Sequence, residues 1–165
     1  MNNSTNQIFV NKLISLLNQQ INRTSRPLHQ KCVVFDIDGT LIIPDDNYHV
    51  IPAVYKFYEY CKHIKIPIII VTARPGTDHN VKHTVDMLIK KGIVVDNYNF
   101  MNPELFHNNE QRKYKEEARQ KLMNKYEILM SIGDMPFDVD TYCNIGVLVK
   151  YYNDNSINYI IGQNQ

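Results

Sequence analysis

Two aspartates, Asp36 and Asp38, stand at the end of a short apolar run, Val33-Val34-Phe35, and enter a Gly39-Thr40 turn. In extended chain, residues two apart project to the same side. Both carboxylates therefore leave the strand end together, and Gly39 lets the backbone fold sharply around whatever they hold. Oxygen ligands of this kind suit a hard cation. They also suit displacement at phosphorus, which needs a carboxylate nucleophile and a second carboxyl to handle protons. Two other readings compete. A calcium loop counted from Asp36 wants a bidentate Glu at its twelfth position, but that position is Asn47 and Pro44 interrupts the loop. A polar strand-to-turn junction also uses Asp and Gly, and on this segment alone it stays open.

The segment Asp36-Ile37-Asp38-Gly39-Thr40 resembles the first motif of the haloacid dehalogenase (HAD) superfamily, Asp-x-Asp-Gly-Thr after a hydrophobic strand. Three further segments follow in that superfamily's order. Ile66-Pro67-Ile68-Ile69-Ile70-Val71 reads as a strand buried on both faces. It ends in Thr72-Ala73-Arg74-Pro75-Gly76, which resembles the second motif, a Ser or Thr at a strand end. The charged, helix-like stretch 112–119 can supply the lysine of the third. The strand-like run 127–132 leads into Gly133-Asp134-Met135-Pro136-Phe137-Asp138, the Gly-Asp-x-x-x-Asp form of the fourth. A threonine at a strand end or a Gly-Asp turn is usually structural when it stands alone. The order of all four, over roughly residues 32 to 150, carries the resemblance.

What it implies is a phosphatase. Asp36 would attack phosphorus and carry an aspartyl phosphate, while Asp38 would protonate the leaving oxygen and later deprotonate water. Mg²⁺ would be held by Asp36, the backbone carbonyl of Asp38 and Asp134, with Asp138 supporting the metal or steering the lysine. Thr72 and the lysine would bind phosphoryl oxygens. Lys113, Lys115, Lys121 and Lys125 all precede the fourth-motif strand. Lys115 is preferred because Lys115-Glu116-Glu117-Ala118-Arg119 is similar to the Lys-x-x-x-Arg element of subclass III acid phosphatases; Lys113 is the fallback. Arg74, two residues past Thr72, is expected either to bind substrate or to form a salt bridge on the sheet rim.

Alternating strands and helices must position these groups. Helical spacing over 7–21 (Ile8, Phe9, Leu13, Ile14, Leu16, Leu17, Ile21) predicts an amphipathic helix. It is expected to flank the sheet, with a homodimer contact as its alternative use. Helices follow at 50–63, 78–91, 110–125 and briefly near 136–143, and strands at 66–71, 93–100, 127–132 and 146–150. Residues 151–161 read equally as helix or edge strand. The expected architecture is three-layer α/β/α, Rossmann-like, with a mainly parallel sheet. Residues 1–30 form an N-terminal helix and linker, and residues 31–165 a single hydrolase domain. The gaps after Thr40 and Thr72 leave no room for a separate cap, so the site should be open. Its rim candidates are Ile43, Asp45, Asp46, Tyr48, His49, Arg74, Met101, Asn102 and Phe137.

A net charge of +1 gives no global basic field pointing to nucleic acid. Cys32, Cys61 and Cys143 show no Cys-x-x-Cys spacing, so neither a disulfide framework nor a zinc site is indicated. No apolar run is long enough to span a bilayer, and the first residues lack a signal-peptide pattern, which reads as cytoplasmic. His79 and His83 share i, i+4 spacing without a third ligand, and His107 stands alone. The expected partner is a phosphorylated substrate, small or macromolecular. A nucleic-acid 3′-end phosphatase and a non-catalytic binding module of the same fold are the competing functions.

Overall fold

The run Lys31–Phe35 is buried along its whole length and forms β1, in the interior of a six-stranded sheet. The structure, a computed structural model, describes residues 2–45, 47–106, 110–152 and 154–164. In chain order the elements are α1 (Asn2–Arg23), β1 (Lys31–Phe35), α2 (Pro52–His63), β2 (Ile68–Pro75), α3 (Asp78–Lys90), β3 (Asn97–Met101), α4 (Pro103–Phe106), α5 (Gln111–Leu122), β4 (Glu127–Gly133), β5 (Ile145–Tyr151) and β6 (Ile157–Gln163).

The strands lie in the order β3-β2-β1-β4-β5-β6, parallel except for the antiparallel pair β5 and β6. The chain steps outward from β1 through β2 to β3, then crosses back to lay β4 on the other side of β1. That reversal opens a crevice at the carboxyl ends of β1 and β4, where ligands bind in such sheets.

Alternation along the strands builds the layers. Val33, Phe35, Ile68 and Ile70 pack with Phe9, Leu13, Leu17, Val54, Phe57 and Leu88 of α1, α2 and α3. Cys32, Val34, Ile69 and Val71 turn the other way, onto Ala118 and Leu122 of α5. The mainly parallel α/β/α sandwich expected from the sequence is therefore present, without a separate cap among the described residues.

Apart from the exposed Ile8, the amphipathic stripe of α1 packs on this core. Phe9, Leu13 and Leu17 are fully buried, and the Phe9 ring meets Tyr159 of β6 edge-on at 4.9 Å. Tyr60 of α2 donates to Asn18 Oδ1 at 2.8 Å. Lys31 Nζ donates to Ile21 O and Thr24 O at 2.7 and 3.2 Å, satisfying carbonyls at the helix end.

Two segments differ from the sequence expectation, each through a contact distant in sequence, and a third takes one of the two forms left open. The strand expected over 93–100 begins only at Asn97. Tyr58 Oη takes Val94 N and donates to Val94 O, and the Asp96 carboxylate takes Ile68 N, so side chains occupy the groups a longer ladder would use. The helix expected near 136–143 is a single 3₁₀ turn, Pro136–Asp138. Arg119 draws in the Phe137 and Thr141 carbonyls, and Tyr142 sits at φ 56°, outside helical geometry. The ambiguous segment after Tyr151 contains β6, an edge strand.

All three cysteines are free and buried, and burial pushes the Cys32 and Cys61 thiols up. Among the described residues no helix is long and apolar enough to cross a membrane. If α1 belongs to the cooperative fold, Phe9→Ala should cost about 3–5 kcal/mol in denaturant unfolding. A loss under about 0.5 kcal/mol, the level of a surface change, would show that the helix is dispensable.

Candidate active site

The sheet delivers its acidic residues one step past its strand ends. Asp36 follows β1, its N–H donating to Ile132 O at 2.9 Å, so pairing with β4 continues up to the carboxylate. Asp134 follows the last residue of β4, and Asp138 closes the 3₁₀ turn beyond it. Into this group α5 projects Lys115. Its ammonium lies 2.7 Å from Asp36 Oδ1, 2.5 Å from Asp138 Oδ1 and 3.2 Å from Val71 O, which accounts for all three of its donors. Lys113, Lys121 and Lys125 are exposed.

One carboxylate oxygen from each of Asp36, Asp134 and Asp138 lies within 4.8 Å of the others. Burial, with the charge of Asp138 and Asp134, pushes the Asp36 carboxyl well above the usual carboxylate range, against the pull of Lys115. Burial and Asp138 push Asp134 up in the same direction. For Lys115, burial opposes the charge, but Asp36 and Asp138 outweigh it and raise the ammonium.

Two glycines allow this crowding. Gly39 adopts φ +75°, and a Cβ there would fall 2.3 Å from Asp134 Oδ2. A Cβ on Gly133 would fall 2.2 Å from Asp138 Cβ. Crowded carboxylates with oxygen-only donors, still deficient in positive charge after Lys115, are what a small hard cation fits.

The second carboxylate of the first motif points elsewhere. Arg74 grips Asp38 as a fork, Nε to Oδ2 at 2.8 Å and Nη2 to Oδ1 at 2.7 Å, while Nη1 donates to the buried Thr84 Oγ1 at 3.1 Å. Hydrogen bonding to Asp38 raises the Arg74 guanidinium. Of the two roles weighed for Arg74, the structure displays the ion pair. Thr72 Oγ1 accepts Arg74 N–H at 3.1 Å, which leaves its own hydroxyl hydrogen available to a ligand.

A small flap, described at residues 42–45 and 47–50, is closed by the bridge between Ile42 and Val50 and by Ile43 N donating to His49 O. Tyr48, at φ 49°, lies 5.8 Å from the Arg74 guanidinium and meets His83 edge-on. Lys91 donates to Asn47 O, a second tie between flap and α3. His79 and His83 stack on each other and join no metal-ligand cluster among the described residues. Of the other rim candidates, Asp45 and His49 pair within the flap, Asn102 caps α4, and Met101 is buried at the end of β3. Asp46 and His107 lie outside the described residues.

Asp36, Asp38, Thr72, Arg74, Lys115, Asp134 and Asp138 converge on one cleft of about 370 Å³. Phe106, Gln111 and Met135 complete its wall, and sequence reasoning missed all three. Phe106 and Gln111 belong to no motif, and Met135 fills a variable position of the fourth. A bigger cavity, about 850 Å³, lies at the opposite end of the sheet beside Arg23, Glu127 and Asn144. It lacks a clustered metal-ligand set among the described residues, so chemistry rather than volume selects the smaller cleft.

The crowding has a pH signature. Asp36 and Asp134 bind a proton more tightly folded than unfolded, so the chelated chain should lose stability as pH rises through and above the usual carboxylate range. Its melting temperature should therefore be higher near pH 5 than near pH 7.5. Saturating Mg²⁺ should recover the loss, and Asp134→Asn should flatten the slope. A chelated protein whose melting temperature is level or rises over this interval would contradict the electrostatics.

A model of the HAD superfamily, subfamily IIIB (acid phosphatase), matches residues 45–146, well over half of the chain. The match takes in Thr72, Lys115, Asp134 and Asp138 and begins after Asp36 and Asp38. No curated protein matches the chain. With the family match and this sheet topology together, the chain belongs to the HAD superfamily, in the acid phosphatase subfamily IIIB.

Proposed function

We propose that this phosphatase is a Mg²⁺-dependent phosphomonoesterase that works through an aspartyl phosphate on Asp36. The observation that supports it best is the Lys115 ammonium bridging Asp36 and Asp138, with Asp134 alongside, at the crevice where the sheet reverses. Asp36, the backbone carbonyl of Asp38 and Asp134 would hold the ion, supported by Asp138. When bound, it would neutralise charge on the carboxylates and phosphoryl oxygens.

The residues divide the remaining work. An Asp36 carboxylate oxygen bonds to phosphorus as the bond to the leaving oxygen breaks, and Asp38 supplies the proton that oxygen takes up. Water then attacks phosphorus, its proton passes to Asp38, and inorganic phosphate leaves with Asp36 restored. Lys115 and the Thr72 hydroxyl donate to the phosphoryl oxygens, where charge spreads in the transition state. In the Arg74 fork, Asp38 accepts on both oxygens, which suits the second step. To act on the leaving oxygen it must give up a contact, so Arg74 would turn toward the phosphoryl group as substrate enters. Thr84 keeps the guanidinium aimed. The buried, unpaired thiols suit a reducing compartment, and the cytoplasm is the setting we propose.

Asp36→Asn should lower kcat for an aryl phosphate by about 10³-fold or more, because the amide keeps the shape but not the nucleophile. Near wild-type turnover by that variant, or full turnover in excess EDTA after stripping of carried-over metal, would refute the mechanism. Arg74→Ala should lower kcat/KM about 10²-fold and Thr84→Val by less. A larger loss in Thr84→Val than in Arg74→Ala would show that Thr84 does more than orient Arg74.

A further inference from the structure

The hairpin of β5 and β6 leaves one row of main-chain groups without a partner strand, and its register says which. Tyr152 N donates to Ser156 O and Asn164 N to Asn144 O, at the two ends of a ladder in which Leu148 lies opposite Ile160. In an antiparallel pair, alternate residues bond inward. The even-numbered residues of β6 therefore turn N–H and C=O toward β5, and Ile157, Tyr159, Ile161 and Gln163 turn theirs to the outer edge. β6 ends the sheet, and among the described residues no backbone group bonds to that row. The side chains of Ile157, Tyr159 and Ile161 pack on the core beneath α1, so Asn158 and Ile160 face the other way. Ile160 is 69% exposed, beside a groove of about 680 Å³ walled by Leu148, Lys150, Tyr152 and Asn158.

Nothing on this edge resists pairing. Edge strands are commonly blocked by lysine, proline or a bulge. Residues 155–164 hold no charged residue and no proline, and the β5–β6 register runs without a shift. The opposite edge, β3, is shorter and is flanked by Asp96 and Pro103.

We infer that β6 is a dimer interface, pairing antiparallel with β6 of a second copy of this chain about a two-fold axis at Ile160. Two-fold pairing joins the same patch on both copies, and here it must set odd-numbered residues opposite odd-numbered ones. Centred on Ile160, it places Tyr159 opposite Ile161, Ile157 opposite Gln163 and Asn158 opposite Gly162, and it uses every outward group of the strand. The odd-numbered pairs exchange main-chain hydrogen bonds, while Ile160 meets its own copy at the closer, non-hydrogen-bonded spacing. Tyr159 with Ile161 is an aromatic and β-branched pair, which favours a sheet, and no like charges meet. A Cβ on Gly162 would meet nothing within 4 Å, so the opposing Asn158 has room. An unrelated strand could use the same main-chain groups but would lack this matched set of side chains, which selects a second copy.

The test is sedimentation of the full chain at tens of micromolar, where the mass should be twice the 19.4 kDa of one chain. Ile160→Lys brings two ammonium groups together on the axis and should weaken the dimer at least about tenfold. Because Ile160 is exposed, the variant should keep the wild-type circular dichroism spectrum. Ile161→Pro should also give monomer, since it removes an outward N–H and spares the ladder to β5. Under copper-phenanthroline, Ile160→Cys should form a disulfide-linked dimer and Asn158→Cys should not, because only the axial pair comes within disulfide reach. A monomeric wild type, a dimer untouched by Ile160→Lys, or equal cross-linking of the two cysteine variants would overturn the proposal.

Discussion

The ammonium of Lys115, buried between Asp36 and Asp138, is the interaction on which the site depends. Two carboxylates held this close in a dry crevice repel each other and lose their hydration, and removing the single cation between them would leave uncompensated buried charge, a cost of about 3–5 kcal/mol. The fold meets that constraint by placing α5 so that its second turn reaches the level of the strand ends. One turn further along the same face, Arg119 grips the carbonyls of Phe137 and Thr141. A single helix therefore positions both the cation and the loop that carries its partner Asp138.

From this arrangement follows a division between the two sides of the site. On the β4 side, Asp134, Asp138 and Lys115 form a charged, tightly packed corner in which Gly39 and Gly133 leave no space for a side chain. On the β2 side, Asp38 is held by Arg74, Thr84 and the flap residue Tyr48 in a network that is partly open to solvent. The residue proposed as nucleophile, Asp36, sits in the tightly packed half, and the one proposed to handle protons, Asp38, in the half more open to solvent. That placement suits a reaction in which the bond to phosphorus must form at a fixed point while the leaving group changes.

Much of this was legible in the sequence because it is local. Runs such as Ile68-Ile69-Ile70-Val71 announce strands buried on both faces, and Asp36, Thr72 and Asp134 each stand where such a run ends. Lys115 could be separated from Lys113 by its spacing to Arg119, and the two prove to share a buried face. What stayed hidden depends on partners far along the chain. The start of β3 is set by Tyr58 and Asp96, the 136–143 segment by Arg119, and the orientation of Arg74 by Thr84. Phe106 ends α4, Gln111 opens α5 and Met135 fills a variable position of the fourth motif, so only the folded sheet defines their place in the cleft.

The account stands or falls on whether Asp36 becomes phosphorylated. The most direct measurement is acid quenching of the enzyme during turnover of a ³²P-labelled aryl phosphate in the presence of Mg²⁺, followed by peptide mapping. The account predicts label on the peptide containing Asp36, stable in acid and released by hydroxylamine as an acyl phosphate should be. Steady hydrolysis with no labelled peptide, or with label on any other residue, would contradict it.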